Sequence, residues 1–251
     1  MRALLFVVLG LVIATSTADA RGRRKTKKSV ATATAVERPD LEKPIKKKPR
    51  SRGQSIGAPW SGTLESSTKF RAPARTHVRR PHRAFATKTT VDHVRRAIRE
   101  TLESFPKAHD LAIGDFSAPR GGRISEHNSH QNGRDVDIGL FYKKRPAGYP
   151  DAFVEADENT LHSAAMWSLI SNLASTTDED GGVKMMFLDF ELQGVIYKWA
   201  KANGVSEKRL NRIFQYGYGR GASAGLIRHE PNHDNHLHVR FQCAAADIAC
   251  R

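Results

Sequence analysis

Two short clusters of histidine and carboxylate residues, far apart in the chain, constrain what this sequence can fold into. Residues 126–137 read EHNSHQNGRDVD, and residues 229–240 read HEPNHDNHLHVR. Together they hold six of the eleven histidines. Imidazole and carboxylate are ligands of zinc hydrolases, in which three protein ligands leave one position for water. The clusters therefore predict a metal site that the fold assembles from two distant segments.

Each cluster ends in a segment with the alternation of a β-strand. In residues 135–140 and 236–241, apolar side chains occupy every second position and would face the core. The opposite, polar faces carry Asp135, Asp137, His236, His238 and Arg240. If both strands belong to one sheet, their polar faces line a single cleft.

Three residues of these clusters fit a catalytic zinc site. His130 and Asp137 are seven positions apart, too far for one strand face, so a turn around Gly133 must fold the histidine back beside the carboxylate. His238 supplies the third ligand from the second strand. Such an ion makes bound water acidic and polarises a scissile carbonyl.

Neighbouring residues are candidates for the other tasks of a hydrolase. His236 lies on the same strand face as His238, and we expect it to act as a base or as a donor to the oxyanion. His233 is a second candidate for that work. Asp135 is expected to orient a ligand imidazole from behind. A single histidine or aspartate is more often structural, and it is the grouping that favours a site.

The rest of the sequence favours an α+β domain with a small, largely antiparallel sheet and flanking helices. Residues 55–88 show no sustained period and are expected to be irregular, and residues 111–116 resemble a short strand. Apolar residues at helical spacing predict helices at residues 91–102, 159–173 and 190–202. Thr90 is the predicted N-cap of the first helix, and Gly204 is predicted to end the third.

The N-terminus has the features of an exported protein. A charged residue, a short apolar run and the small residues Ala18 and Ala20 predict a signal peptide over residues 1–20. No later segment is apolar enough to cross a membrane, so we expect a periplasmic or secreted protein. Residues 54–251 have globular composition and predict one domain.

Residues 21–53 differ in composition from the domain that follows. They contain 13 lysines and arginines against three acids, so about +10 of the net charge of +15 lies there. Low apolar content predicts disorder. The segment is either a solvated linker or an arm that contacts an anionic polymer, such as one in a cell wall. We expect no nucleic-acid partner.

The two cysteines, Cys243 and Cys250, lie close together near the C-terminus. In an exported chain such an even pair predicts one disulfide. Two free thiols or two soft metal ligands are the alternatives.

Several motifs together resemble a known family. The sequences SIG (55–57), GDF (114–116), PRGGR (119–123), HNSHQNGRDVDI (127–138) and HDNHLHVRFQC (233–243) are similar, in this order, to those of the penicillin-insensitive murein endopeptidases. Cys250 also matches the disulfide position of the family. The resemblance covers most of residues 55–251.

This resemblance implies both a fold and a reaction. The fold is that of lysostaphin-type peptidases, D-Ala-D-Ala metallopeptidases and the Hedgehog signalling domain. The implied zinc ligands are His130, Asp137 and His238, while His127 either binds a second ion or helps to hold the first. The implied reaction is hydrolysis of the D-alanyl–diaminopimelyl cross-link of peptidoglycan, without a serine that β-lactams acylate.

Some positions depart from related patterns. Dipeptidases of the wider group place a glutamate where this chain has Asn235, so the base role falls to His236 or His233, with Glu230 as a weaker alternative. Residues 141–184 show little similarity to the family. Because this segment is expected to shape the substrate groove, the resemblance does not fix which peptide bond is cleaved. Arg123 is a candidate for binding a substrate carboxylate.

Two other functions remain compatible with the same residues. One is a D,D- or L,D-carboxypeptidase that trims stem peptides. The other is a zinc-stabilised module that binds the wall without catalysis.

Overall fold

The computed structural model describes residues 54–251. The predicted signal peptide at residues 1–20 and the basic segment at residues 21–53 lie outside the described residues. Within residues 54–251 no helix is both long and apolar enough to span a bilayer.

Short strands and four helices alternate irregularly along the described residues. The strands are β1 (Ser55–Ala58), β2 (Ser61–Leu64), β3 (Thr68–Lys69), β4 (Thr76–Val78), β5 (Phe85–Ala86), β6 (Leu111–Ile113), β7 (Asp135–Gly139), β8 (Val183–Phe187), β9 (Ile227–Arg228) and β10 (His236–Phe241). The helices are α1 (Lys88–Ser104), α2 (Ser163–Ala174), α3 (Phe190–Ala202) and α4 (Glu207–Ile213), with 3-10 turns at Pro81–Arg83 and Gln215–Tyr218.

A six-stranded sheet forms the centre of the domain, in the order β4-β6-β7-β10-β8-β9. The central pairs β6–β7, β7–β10 and β10–β8 are antiparallel, while the two outer pairs are parallel. This arrangement confirms the prediction of an α+β fold with a largely antiparallel sheet.

The apolar faces of β7 and β10 are buried in the hydrophobic core. Val136, Ile138, Leu237, Val239 and Phe241 have no exposed side-chain surface, and they belong to one core cluster with apolar residues of α1, α2 and α3. Each fully buried side chain of this size contributes about 1.5–3 kcal/mol to folding. Since burial fixes which face points inward, it also fixes the polar face that carries the candidate ligands.

The predicted helices and strands are present, with shifted starts in two helices. Helix α1 begins at Lys88, and its N-cap is Thr87, whose Oγ1 accepts the Thr90 N–H at 3.2 Å. The assignment of Thr90 as N-cap was therefore wrong, because a threonine three residues earlier caps the same turn. Helix α2 begins at Ser163, because Asp157 Oδ1 accepts backbone N–H groups in a preceding turn.

The expectation of an irregular segment over residues 55–88 was also wrong. This segment contains β1 to β5, and β1 and β2 form an antiparallel hairpin. Strands of two to four residues are too short to show a recognisable alternation. The strand predicted at residues 111–116 ends at Ile113.

The C-terminal segment is tied to the first hairpin. Cys243 and Cys250 form the predicted disulfide. The Gly57 N–H donates to the Ala249 carbonyl at 2.9 Å, and the Arg251 N–H donates back to the Gly57 carbonyl at 3.0 Å. The disulfide loop therefore closes against β1.

His109 should contribute to stability as a neutral, hydrogen-bonded histidine. Its Nε2 accepts the Tyr142 N–H at 2.9 Å, and burial lowers the pKa of its imidazole from the ordinary value of 6.5. We expect His109→Ala to cost about 1–3 kcal/mol, because the Tyr142 N–H loses its partner. Urea unfolding at pH 7.5 measures this cost.

The pH dependence follows from the sign of the pKa shift. A depressed folded-state pKa stabilises the fold above pH 6.5, and this contribution is lost as the pH falls through the folded value. We therefore expect the difference between wild type and His109→Ala to shrink from pH 7.5 to pH 5. An unchanged difference would show that His109 does not titrate differently in the folded state.

Candidate metal centre

The register between β7 and β10 brings the two clusters together. His238 lies directly opposite Asp137, and Arg240 lies opposite Asp135. Because both strands turn their apolar residues to the core, these four side chains share the other face of the sheet. The pairing joins positions that are about a hundred residues apart in the sequence.

A turn before β7 folds the chain back, so that His130 lies beside Asp137 and His238. His130 and Gly133 adopt positive φ values of 67° and 74°. The His130 N–H donates to Asp135 Oδ2 at 3.0 Å, which fixes the turn on the strand that follows it. A side chain at Gly133 would meet Leu64 and the backbone nitrogen of Thr87, so the tight approach also requires glycine. This is the reversal that the spacing of His130 and Asp137 demands.

Three ligand atoms form a small, buried triangle. His130 Nε2 lies 3.3 Å from His238 Nδ1 and 3.4 Å from Asp137 Oδ1, and the third side of the triangle measures 3.0 Å. A tetrahedral ion with bonds of about 2.0–2.1 Å holds its ligands about 3.3 Å apart. The donor set and its spacing therefore fit a divalent metal ion.

The imidazole of His130 is held in one tautomer. Its Nδ1–H donates to the Phe116 carbonyl at 2.7 Å, so the lone pair of Nε2 points into the triangle. His238 Nε2 is buried without a hydrogen bond and lies 3.4 Å from Asp135 Oδ1. This places a carboxylate behind a ligand imidazole, an arrangement common at metal sites.

His127 forms a second edge of the cluster. His127, His130 and Asp137 each offer a ligand atom, and these three atoms lie within 4.8 Å of one another. The His127 Nε2–H donates to Asp115 Oδ2 at 3.0 Å, which leaves Nδ1 free 3.8 Å from Asp137 Oδ2. His127 can therefore join the first ion or hold another.

Electrostatics keep the carboxylates of the cluster ionised. Burial would raise the pKa of Asp137, but the charges of and hydrogen bonds from the neighbouring imidazoles outweigh burial and hold it well below its usual range. Burial likewise opposes ionisation of Asp135, yet His238 and Arg240 lower its pKa. Conversely, Asp135 and Asp137 overcome burial and raise the pKa of His238 to about 9. A cation bound at His238 would displace this proton.

His236 and His233 line the cleft beside the triangle. The His236 Nδ1–H donates to Asn235 Oδ1 at 2.6 Å, and its Nε2 lies 3.7 Å from Asp137 Oδ1. Burial lowers the pKa of His236 to about 4, so its imidazole is neutral at neutral pH. His233 packs against it with ring centres 4.7 Å apart.

The other candidate residues lie outside the triangle of ligand atoms. His229 accepts the Phe190 N–H at 3.1 Å, a bond that ties it to the start of α3 and away from the triangle. Glu230 lines the cleft on the His233 side. Arg123 is exposed and does not line either cavity at the cluster, so its role in binding substrate stays a prediction.

Two cavities meet at the cluster. The larger, about 460 Å³, extends past Trp60, Phe187 and His233, and the smaller, about 320 Å³, extends past Arg79 and Phe153. They share Glu126, His127, Asp137, Asn232 and His236. Asp137 and His127 therefore lie between the two cavities, His238 lines the larger one, and His130 is buried behind them.

Sequence reasoning missed the residues that surround the cluster from other elements. Asp115 accepts bonds from Arg83 at 2.9 Å and from Arg80 at 3.1 Å, in addition to the one from His127. Phe153 stacks on His236 with ring centres 5.0 Å apart. Asp115 had a usable signal, because it lies two residues after a buried strand. Phe153 had none, because it belongs to a long loop.

Comparison of the sequence with known proteins assigns this chain to a family of peptidases. A family model described as penicillin-insensitive murein endopeptidase matches residues 55–187. The chain belongs to this family. The match includes His127, His130 and Asp137, while β10 lies beyond it.

Curated relatives carry the same description. Proteins named penicillin-insensitive murein endopeptidase from Yersinia enterocolitica and Yersinia pestis are 27% and 26% identical to this chain over 148 residues. These alignments cover 56% of this chain and 48% of each relative. The chain therefore spans about half the length of the curated relatives it matches.

Removal of a triangle residue should abolish metal binding. We expect His238→Ala and Asp137→Asn to lose stoichiometric divalent metal after dialysis, because two ligands cannot complete the site. Elemental analysis measures this. His229→Ala is the matched control from the same sequence cluster, and it should keep its metal. Full occupancy in Asp137→Asn would contradict the ligand assignment.

Proposed function

We propose that this protein is a zinc-dependent D,D-endopeptidase that hydrolyses D-alanyl–diaminopimelyl cross-links of peptidoglycan. The observation that carries the proposal is the triangle of His130, Asp137 and His238, whose Asp137 lies where two cavities meet. Membership in a family of murein endopeptidases, and relatives with that name, supply the substrate class.

Zinc is the metal that best suits this donor set. Two imidazoles and one carboxylate are a known ligand combination of catalytic zinc, and the three distances between the ligand atoms are close to those that a tetrahedral zinc ion would require. Zinc held there would supply an acidified water and polarise the scissile carbonyl. Asp135, at the back of His238 and hydrogen-bonded to the His130 backbone, would fix the orientation of the ligands.

His236 is proposed as the residue that moves a proton. Its Nδ1–H is engaged by Asn235, so the lone pair of Nε2 faces the triangle and can accept a proton or, once protonated, donate one to the oxyanion. His233 stands beside it and would hold its ring in place or share the developing charge. Neither His236 nor His233 needs to bind the metal ion in these roles.

The shape of the groove favours an endopeptidase over a carboxypeptidase. A carboxypeptidase needs a cleft that ends close beyond the scissile bond. Here space continues on both sides of Asp137 and His236. A stem peptide could therefore cross the ligand cluster with chain on each side, as hydrolysis of a cross-link requires.

Digestion of purified cross-linked muropeptide dimers tests the reaction. We expect dimers to be converted to monomers without release of free D-alanine, and a chelator should stop the conversion until zinc is restored. Mass spectrometry of the products measures both. Release of D-alanine from monomers would instead identify a carboxypeptidase, and intact substrate with zinc bound would identify a wall-binding module.

His236→Ala separates catalysis from metal binding. Because His236 is placed to act on protons rather than to hold the ion, we expect the variant to retain zinc while kcat falls by about 10²- to 10⁴-fold. Loss of zinc from this variant would make His236 a ligand. A rate close to that of wild type would assign the proton transfer to His233 or Glu230.

The domain organisation follows from the same proposal. Residues 1–20 would direct export, residues 54–251 would form the peptidase domain, and the protein would act in the periplasm or outside the cell. Residues 21–53 would link the domain or attach it to anionic wall polymer through their charge.

Deletion of residues 21–53 distinguishes the two roles of the basic segment. If it contacts the wall, binding to whole sacculi should weaken at low salt and the difference should vanish at high salt. Turnover on soluble dimers should not change. Equal binding of the deleted and complete proteins would leave the segment as a spacer.

A further inference from the structure

The two halves of the groove differ in the charge that they offer to a ligand. In the larger cavity, the guanidinium of Arg240 is engaged by Asp135, with Nε–Oδ1 and Nη2–Oδ2 distances of 2.7 and 3.2 Å. Apart from the candidate ligand His238, the remaining charged side chain particular to that cavity is Glu230. The smaller cavity is lined instead by two adjacent arginines, Arg79 and Arg80.

Only one of these two arginines is neutralised. Arg80 Nη1 lies 3.1 Å from Asp115 Oδ2 and 2.6 Å from Glu126 Oε2. Arg79 donates through Nε to the Asp151 carbonyl at 3.0 Å, and among residues 54–251 no carboxylate lies within ion-pair distance of it. Both terminal nitrogens of Arg79 are therefore available to a ligand.

A stack of rings holds Arg79 in position. Its guanidinium carbon lies 4.2 Å from the centre of the Phe153 ring, a cation–π distance. The same ring stacks on His236 at 5.0 Å with an interplanar angle of 9°. Phe153 in turn packs on Gly114, where any Cβ would meet the ring at 2.7 Å. One phenyl ring therefore separates a free guanidinium from the proposed proton-transfer residue.

We propose that Arg79 forms a carboxylate-binding subsite on the leaving-group side of the groove. This inference rests on the proposed function. In a D-alanyl–diaminopimelyl cross-link, the carbon that bears the leaving nitrogen also bears a free carboxylate. A planar guanidinium binds carboxylate through two parallel hydrogen bonds. The acceptor stem would thus occupy the Arg79 cavity, and the donor stem would occupy the larger cavity beside Trp60.

Paired substrates test the subsite. Cross-linked dimers are prepared with this carboxylate free or converted to a carboxamide, and kcat/KM is measured for both. We expect wild type to prefer the free carboxylate by about 10- to 100-fold, the size of a charged hydrogen-bonding contact. Arg79→Gln should lose this preference by slowing only the free-carboxylate substrate, and Arg79→Lys should retain part of it.

Two further variants make the result specific. Arg71→Gln alters an exposed arginine outside both cavities and should preserve the preference. Arg123→Gln tests the alternative that Arg123, rather than Arg79, binds the substrate carboxylate. Loss of the preference in Arg123→Gln, or its retention in Arg79→Gln with normal zinc content and circular dichroism, would overturn the proposal.

A binding measurement keeps this test separate from the test of the reaction. Calorimetry follows the acceptor peptide alone, as the carboxylate and as the carboxamide, with wild type and Arg79→Gln. If wild type binds the carboxylate more tightly and Arg79→Gln does not, the subsite is supported even when no dimer is cleaved. Equal affinities in wild type would overturn the subsite while leaving dimer cleavage to judge the proposed function.

Discussion

The antiparallel pairing of β7 with β10 is the constraint on which the candidate site depends. This register sets His238 opposite Asp137 and Arg240 opposite Asp135. A shift of one residue would turn the ligands into the core and expose the apolar side chains. The burial that stabilises the sheet therefore also determines where the ligand atoms lie.

The same pairing compensates the negative charge of a buried carboxylate, Asp135. Asp135 is fully buried, and it is compensated by Arg240, by the His130 backbone N–H and by proximity to His238. Removing one partner from such a buried pair typically costs about 3–5 kcal/mol. Asp115 is compensated in a similar way by Arg80, Arg83 and His127. Asp135 and Asp115 therefore both orient the histidines of the cluster and stabilise the buried site.

Strand alternation predicted that the polar residues of each cluster lie on one face of a strand, and a single cleft followed only if both strands belonged to one sheet. It identified the polar faces of residues 135–140 and 236–241, and Gly133 signalled the turn that returns His130. It could not show that Arg79, Asp115 and Phe153 also reach the groove. Arg79 follows β4, Asp115 lies just beyond its parallel neighbour β6, and Phe153 belongs to a long loop. Such contacts depend on packing between distant elements, and no local period encodes them. The same limit applies to His229, which shares the second cluster but packs at the start of α3.

The sequence by itself determined the chemistry that is available: imidazoles and carboxylates in two strands, each with one apolar face. Local rules suffice for this, because a period of two is a property of neighbouring residues. The tertiary structure alone decided the 3.0–3.4 Å triangle, the cavities that extend on both sides of Asp137, and the position of the Arg79 guanidinium, which has no carboxylate partner within residues 54–251. Distances and charge compensation arise only when separate elements pack together, since each depends on atoms that the chain brings from elsewhere.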